Sequence, residues 1–192
     1  SEMCIRDRYG TEDRVFMFTS TSKITFPGAG VSALACSEKS LAYICRRFSV
    51  MIISYDKMNQ LRHVRFLKNK DGVLQHMAKH RRRLVPCFDA VKTTFAHELT
   101  PCGDIAHWTN PKGGYFISLY VMPGCAKRVA QLCKDCGLTL TGAGAAFPYG
   151  IDPQDSHLRI APTYPSLSEV ETASMLLTVC VRLAVVEKLL AE

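Results

Sequence analysis

The sequence predicts an α/β fold, and three observations support this prediction. Short apolar runs that suit buried strands alternate with longer segments whose apolar residues recur every three or four positions, as in amphipathic helices. Turns containing Gly and Pro separate these segments. The composition, 47% hydrophobic and 21% charged over 192 residues, is that of a globular chain able to bury a sizeable core.

The first third of the chain predicts two strands followed by two helices. Residues 1–8 carry no periodicity and are interpreted as a tail or a foreign junction. The apolar run 14–18 ("RVFMF") predicts a buried strand, and 30–36 ("GVSALAC") predicts a second strand of small residues. Ser37 is a suitable N-cap for a helix through Phe48, and Asp56 for the next helix. Because two strands rarely form a stable sheet alone, this part looks like the end of a larger domain.

The rest of the chain predicts a second layer of helices and strands. A long helical pattern after Asp71-Gly72 contains Pro86, which should kink or divide it. Two strands, 105–109 and 115–120, are joined by the turn "NPKGG". The remaining predicted elements are a helix from about Cys125 to Gly137, strands at 138–141 and 157–161, and a last helix capped by Ser166 or Ser168. The predicted domain boundaries are 9–70 and 71–192.

Composition also limits the cellular setting and the class of partner. The sequence lacks an apolar run of about 18 residues and a signal-peptide pattern at its start, which predicts a cytoplasmic protein without a transmembrane helix. Its nine cysteines are irregularly spaced, as expected for reduced thiols. Cys133 and Cys136 ("CKDC") suggest redox or metal chemistry, or else small buried side chains. No second pair completes a zinc site, so no metal is predicted.

The net charge of +7 is concentrated in one segment. Lys57 to Arg83 contains nine Lys or Arg and one acid, Asp71. Such a segment can bind nucleic acid or a membrane surface, or it can be a solvated helix face. Because no aromatic residues alternate with the charges as base-stacking platforms, nucleic-acid binding is not expected.

The stretch "STSKITFPGAG", residues 20–30, carries the strongest chemical signal. A lysine amine that can lose its proton can condense with a carbonyl group. Hydroxyl groups before it, on Ser20 and Ser22, suit a phosphate, and the glycines after it allow close approach to a planar ring. Taken alone, the composition of the stretch favours a solvent-exposed loop in which Lys23 only adds solubility.

Four motifs in order resemble the fold-type-I pyridoxal phosphate aminotransferases. "STSKITFPGAGVSALA" resembles their cofactor-lysine segment and "NPKGGYFISL" their Pro-x-Gly-Gly hairpin. "GLTLTGAGAAFPYG" resembles the strand and loop that close over the substrate, and "LRIAPTYPS" the strand with the carboxylate-binding arginine. The segments "DKMNQLRHVRFLK" and "MPGCAKRVAQLCKDCG" are similar to the MocR-like aspartate aminotransferase subgroup. The resemblance starts near residue 10 and implies the C-terminal part of this transferase fold: the end of the large mixed-sheet domain plus the small α/β domain.

The resemblance implies roles for individual residues. Lys23 would bind pyridoxal 5′-phosphate as a Schiff base and then act as general base and acid. Ser20 and Ser22 would bind the cofactor phosphate, and Arg159 would grip the substrate α-carboxylate with two hydrogen bonds. Asn59 and Tyr115 could lie near the cofactor or a dimer seam. The substrates would be an amino acid, aspartate among the candidates, and a 2-oxo acid, in a homodimer of the full-length protein.

Two departures from the family pattern stand beside the resemblance. Many relatives carry a phosphate-binding arginine eight residues after the lysine, where this chain has Val31. The family's other cofactor contacts lie before the lysine, so this chain is expected to be inactive in isolation. Two alternatives remain open: an effector-sensing domain of a pyridoxal phosphate-dependent transcriptional regulator, and a domain of this fold that has lost catalysis.

Overall fold

The computed structural model describes residues 12–191, so the predicted tail at 1–8 lies outside the described residues. The chain divides into two compact units, Ser1–Lys79 and His80–Glu192. The predicted boundary at residue 70 stays a prediction, because one helix runs through both that position and the division between the units.

The first unit contains a two-stranded sheet and two complete helices. Strand β1 (Met17–Ser20) pairs antiparallel with β2 (Ser32–Ala35), and Met17 lies opposite Ala35. Both strands fall close to the apolar runs that predicted them, with β1 shifted toward its loop. The prediction that the first run forms a buried strand is wrong, because β1 has no buried residue and Phe18 is 77% exposed. Helices α1 (Glu38–Met51) and α2 (Lys57–Leu67) follow.

The predicted caps of α1 and α2 are both present. Ser37 accepts a hydrogen bond from the Ser40 backbone N–H, and Asp56 accepts one from that of Asn59. Each side chain thereby satisfies one of the backbone donors that a helix leaves unpaired at its first turn.

Helix α3 (Lys70–Glu98) begins in the first unit and continues into the second. Pro86 lies inside it, and the helix continues on both sides of the ring. Of the two predicted effects of Pro86, division into two helices is wrong, and a kink at this position stays a prediction. Buried residues of the second half, Val91 and Phe95, pack in the core of the second unit, and such packing outweighs one lost backbone hydrogen bond.

The second unit has a three-stranded antiparallel sheet in the order β3-β4-β5. The strands are Ala106–Trp108, Ile117–Val121 and His157–Ile160. Helix α4 (Ala126–Asp135) follows β4, and α5 (Leu167–Ala191) follows β5. One sheet face and the helices share a buried core that includes Phe95, Leu119, Val129, Leu158 and Val181. Ser166 caps α5 and pairs reciprocally with Glu169, as predicted for one of the two candidate caps.

The predicted strand at 138–141 does not form, and this prediction is wrong. Leu138 and Leu140 pack against the core while Thr139 is exposed. The alternating burial that predicted a strand is therefore present. The segment instead follows the end of α4, where Gly137 has a φ of 84° and the Leu138 N–H returns to the Cys133 carbonyl. Alternate side chains of this segment are therefore partly buried although its backbone does not pair with a neighbouring strand.

Candidate active site

Lys23 lies in the loop between β1 and β2, and the backbone of this loop is closed by hydrogen bonds at its base. The Thr21 N–H donates to the Val31 carbonyl, and the Val31 N–H donates to the Thr21 hydroxyl, both at 2.8 Å. The Thr21 carbonyl accepts from the N–H groups of Ile24 and Thr25. This turn holds Lys23 at the exposed tip of a fixed loop.

The two serines beside Lys23 form one polar group. The Oγ atoms of Ser20 and Ser22 lie 2.6 Å apart, and the Ser22 N–H donates to Ser20 Oγ at 3.1 Å. Gly30 packs on this pair: a Cβ added at Gly30 would lie 2.6 Å from Ser22 Oγ and 3.0 Å from Ser22 Cα. The absence of a side chain at Gly30 therefore allows the serines their position.

The two serine hydroxyls next to Lys23 in the loop are of the kind that donate hydrogen bonds to a phosphate ester. Val31 contributes only its backbone, so the loop offers neutral donors where many relatives place an arginine.

Two residues of α2 form hydrogen bonds with this loop. The buried His63 ring contacts the hydroxyls of Thr25 at 2.7 Å and Thr21 at 3.2 Å through Nε2. The Asn59 amide donates to the Ala29 carbonyl at 2.8 Å. The sequence reasoning missed the role of His63. Its position four residues after Asn59, on the same helix face, is the signal that could have found it.

Arg159 lies in β5, opposite Ser118 of β4. Its guanidinium carbon stands 4.6 Å from the centroid of the Phe116 ring, a cation–π contact. Its Nε is buried and has no hydrogen-bond partner among the described residues. A cavity of about 160 Å³ beside it is lined by Thr139, Thr141 and Pro162, among others. A guanidinium that lies over an aromatic ring and has an unpaired Nε is suited to a carboxylate.

The loop before β5 is organised by the buried carboxylate of Asp152. It accepts hydrogen bonds from the backbone N–H groups of Gln154, Ser156 and His157 at 2.8 to 3.0 Å. Burial alone would raise the pKa of Asp152, but these three donors together hold its pKa below the ordinary value. Phe147 contacts the His157 ring edge-on at 5.6 Å. The sequence reasoning did not single out Asp152.

The predicted site residues fall in both units. Lys23, Ser20 and Ser22 share one loop of the first unit, and Arg159 lies in the second. Tyr115 is half-buried just before β4. Each of these positions remains a predicted site residue.

Cys133 and Cys136, which the sequence analysis considered as a pair, lie in different environments. Cys133 is buried in the core, and burial, with smaller contributions from Cys180 and Cys136, raises its pKa to about 12. Cys136 is exposed at the end of α4. Within residues 12–191 there is no cluster of three His, Cys, Asp or Glu that could hold a metal ion.

Comparisons with known proteins agree on one family. The family model described as aspartate amino-transferase matches residues 3–192. A protein of Mycolicibacterium smegmatis, provisionally named an aminotransferase, is 48% identical over 95% of this chain and 42% of its own length. The solved aspartate transaminase of Corynebacterium glutamicum is 42% identical, with a TM-score of 0.92 over 95% of this chain and 43% of that chain.

More distant structures share the fold. The α-aminoadipate aminotransferase of Thermus thermophilus, solved in complex with N-(5′-phosphopyridoxyl)-L-leucine, is 17% identical, with a TM-score of 0.79 over 97% of this chain and 46% of that one. The chain thus spans less than half the length of the relatives it matches. Family model, sequence identity and fold together show that the chain belongs to the aspartate amino-transferase family of fold-type-I aminotransferases.

Proposed function

We propose that this chain carries the cofactor lysine and the substrate-carboxylate arginine of an amino-acid aminotransferase that uses pyridoxal 5′-phosphate. The observation that carries the proposal is the hydroxyl pair of Ser20 and Ser22, 2.6 Å apart, next to Lys23 in a backbone-closed loop. The motif order and the aminotransferase relatives support it. An effector-sensing regulator is not favoured by these relatives.

The loop residues would hold the cofactor by two kinds of contact. Ser20 and Ser22 would donate their hydroxyl protons to the phosphate, and Lys23 Nζ would bind the carbonyl carbon. Bound pyridoxal 5′-phosphate supplies an electron sink for the substrate α-carbon. Once the substrate amine has displaced it from the carbonyl carbon, Lys23 Nζ would be free to take the proton from the substrate α-carbon and later return it, as general base and acid.

Arg159 would position the amino acid. Its planar fork can donate two parallel hydrogen bonds to the α-carboxylate, which fixes the direction of the α-carbon as well as its position. The ring of Phe116 lies against the guanidinium on one side, 4.6 Å from its central carbon. Orienting the scissile C–H bond in this way is a large part of what an enzyme contributes to such a reaction.

We further propose aspartate as an amino donor, a 2-oxo acid as acceptor, a homodimeric assembly and a place in the MocR-like subgroup. The name of the Corynebacterium relative and the subgroup-like segments support these finer assignments. A cytoplasmic location is part of the same proposal. Across the described residues, no helix has the length and apolarity required to span a membrane.

The proposal is tested by replacing Lys23 in the protein that carries this chain. Lys23→Ala should abolish the visible absorbance of bound cofactor and the transfer of an amino group from aspartate to it. Lys39→Ala, a change at an exposed position of α1, is the matched control and should retain both. If Lys23→Ala keeps absorbance and transfer, the lysine is wrongly assigned.

A further inference from the structure

The His63 ring is the buried link between α2 and the Lys23 loop. Only 6% of the residue is exposed. Its Nε2 contacts Thr25 Oγ1 at 2.7 Å and Thr21 Oγ1 at 3.2 Å, and its Nδ1 lies 2.9 Å from the Asn59 carbonyl oxygen. All polar atoms of this ring are therefore engaged, and two of its three partners belong to the loop.

The hydrogen-bond directions in this network follow from the chemistry of the partners. A carbonyl oxygen only accepts, so Nδ1 must carry the proton that it shares with the Asn59 carbonyl. In the neutral ring, the one lone pair of Nε2 accepts from the Thr25 hydroxyl at 2.7 Å and, at the longer distance of 3.2 Å, from the Thr21 hydroxyl. Thr21 Oγ1 accepts from the Val31 N–H, which leaves its own proton for Nε2. The Thr25 hydroxyl also lies 3.3 Å from the Thr21 carbonyl oxygen, which is farther than its 2.7 Å to Nε2, so the tautomer with the proton on Nδ1 is consistent with these partners.

Neighbouring contacts hold the same loop from its other end. The Asn59 side chain donates to the Ala29 carbonyl at 2.8 Å, and the Phe26 ring meets the His63 ring edge-on at 5.2 Å. The loop is therefore tied to α2 both before and after Lys23. A loop fixed at two points places the amine in a narrower range of positions than a loop fixed only at its strand ends.

We propose that His63 is a positioning residue, which fixes the loop that carries Lys23 through its hydrogen bonds to Thr21 and Thr25. This inference rests on the proposed function of Lys23 and adds to it the element that supports the lysine. A histidine that only filled space would be replaced without loss by an apolar side chain of similar size. A positioning histidine needs a hydrogen-bonding group at the place of Nε2.

The experiment measures the order of the loop without cofactor, by the rate at which trypsin cuts after Lys23. The protein that carries this chain is compared as wild type, His63→Leu, His63→Gln and Thr25→Val. Gln places an amide group near the position of Nε2, and Thr25→Val replaces a hydroxyl by a methyl group on a side chain that is also β-branched. Cleavage after Arg81, Arg82 and Arg83, exposed on α3, serves as the internal reference.

We expect His63→Leu to raise cleavage after Lys23 about tenfold or more relative to the α3 sites, because its two loop hydrogen bonds are lost. Thr25→Val should raise it by a smaller factor, and His63→Gln should stay near the wild-type rate. Unchanged cleavage in His63→Leu, or equal acceleration in His63→Gln and His63→Leu, overturns the proposal. If His63→Leu fails to fold, Thr25→Val decides: an unchanged rate overturns the proposal.

A second readout separates this inference from the proposed function. With pyridoxal 5′-phosphate added, His63→Leu should lower the fraction of protein that holds the cofactor, and His63→Gln should restore it. A wild-type protein that binds no cofactor contradicts the proposed function, whereas the trypsin result concerns the loop alone.

Discussion

At the scale of single residues, Arg159 tests whether planar geometry or charge alone binds the substrate. Lysine keeps the charge but loses the two-pronged donor set and the stacking on Phe116. We therefore expect Arg159→Lys to raise the KM for aspartate roughly tenfold or more, with a smaller change in kcat.

The matched control for this substitution is Arg182→Lys, at a half-buried arginine of α5 whose Nη1 lies 3.4 Å from Glu98 Oε2. Its KM for aspartate should stay at the wild-type value in steady-state kinetics. Equal KM values for Arg159→Lys and wild type would show that the carboxylate is bound elsewhere.

A substitution at Gly30 tests whether the hydroxyls of Ser20 and Ser22 bind the cofactor phosphate. A methyl group at Gly30 would meet Ser22 at both Oγ and Cα, so the hydroxyl pair must move. Gly30→Ala should weaken the binding of pyridoxal 5′-phosphate, measured as an increase in Kd by absorbance titration. Gly113→Ala is the control, because a Cβ there has open space around it. An unchanged Kd in Gly30→Ala would remove the serines from the proposed site.

Some of these residues could be predicted from sequence and others could not, for a physical reason. Lys23, Ser20 and Arg159 lie in motifs whose spacing along the chain carries the signal. His63 and Asp152 act on groups brought near by folding: His63 bonds to a threonine 42 residues away. The Asp152 carboxylate accepts hydrogen bonds only from nearby backbone N–H groups. Because such groups are present in every sequence, nothing in the sequence indicates that this carboxylate is buried.

At the scale of elements, the loop that leads into β5 depends on the ionised form of Asp152. Because the pKa of Asp152 is held below its ordinary value of about 3.9, the carboxylate adds stability that is complete above that value. This stability is lost as the pH falls through the lowered, folded-state pKa. The ordered loop should therefore loosen in acid.

Asp152→Asn tests this dependence by urea unfolding at several pH values. The amide replaces an acceptor by a donor opposite the backbone N–H groups of Ser156 or His157, so the free energy of unfolding should fall by about 1–3 kcal/mol near neutral pH. The difference from wild type should shrink as the pH falls below the folded-state pKa. Asp104→Asn, at an exposed position, is the control. A constant difference at all pH values would contradict the assignment.

The helices were the elements best predicted from sequence, because their signals are local. Ser37 and Asp56 cap α1 and α2 through backbone groups three residues ahead, so a short window contains the whole interaction. Segment 138–141 was predicted wrongly because a strand requires a partner that the window does not contain. Alternating burial of Leu138 and Leu140 arises equally from packing on a core.

At the scale of the whole molecule, the two units differ in how much they bury. The second unit contains the core cluster, whereas α1 in the first unit has no buried residue among those described. Phe18 of β1 is 77% exposed. The α/β class was predictable from the alternation of helices and strands. Which unit contains the buried core was not predictable, because a short apolar run has the same sequence pattern whether it is buried or exposed.

The central claim, that Lys23 is the amine that binds the cofactor, is tested most directly by trapping. The protein that carries this chain is incubated with pyridoxal 5′-phosphate, reduced with borohydride, digested and mapped by mass spectrometry. The account predicts that the phosphopyridoxyl mass falls predominantly on Lys23, and that Gly30→Ala lowers its yield. Label spread over exposed lysines such as Lys39 and Lys112, with none enriched at Lys23, would contradict it.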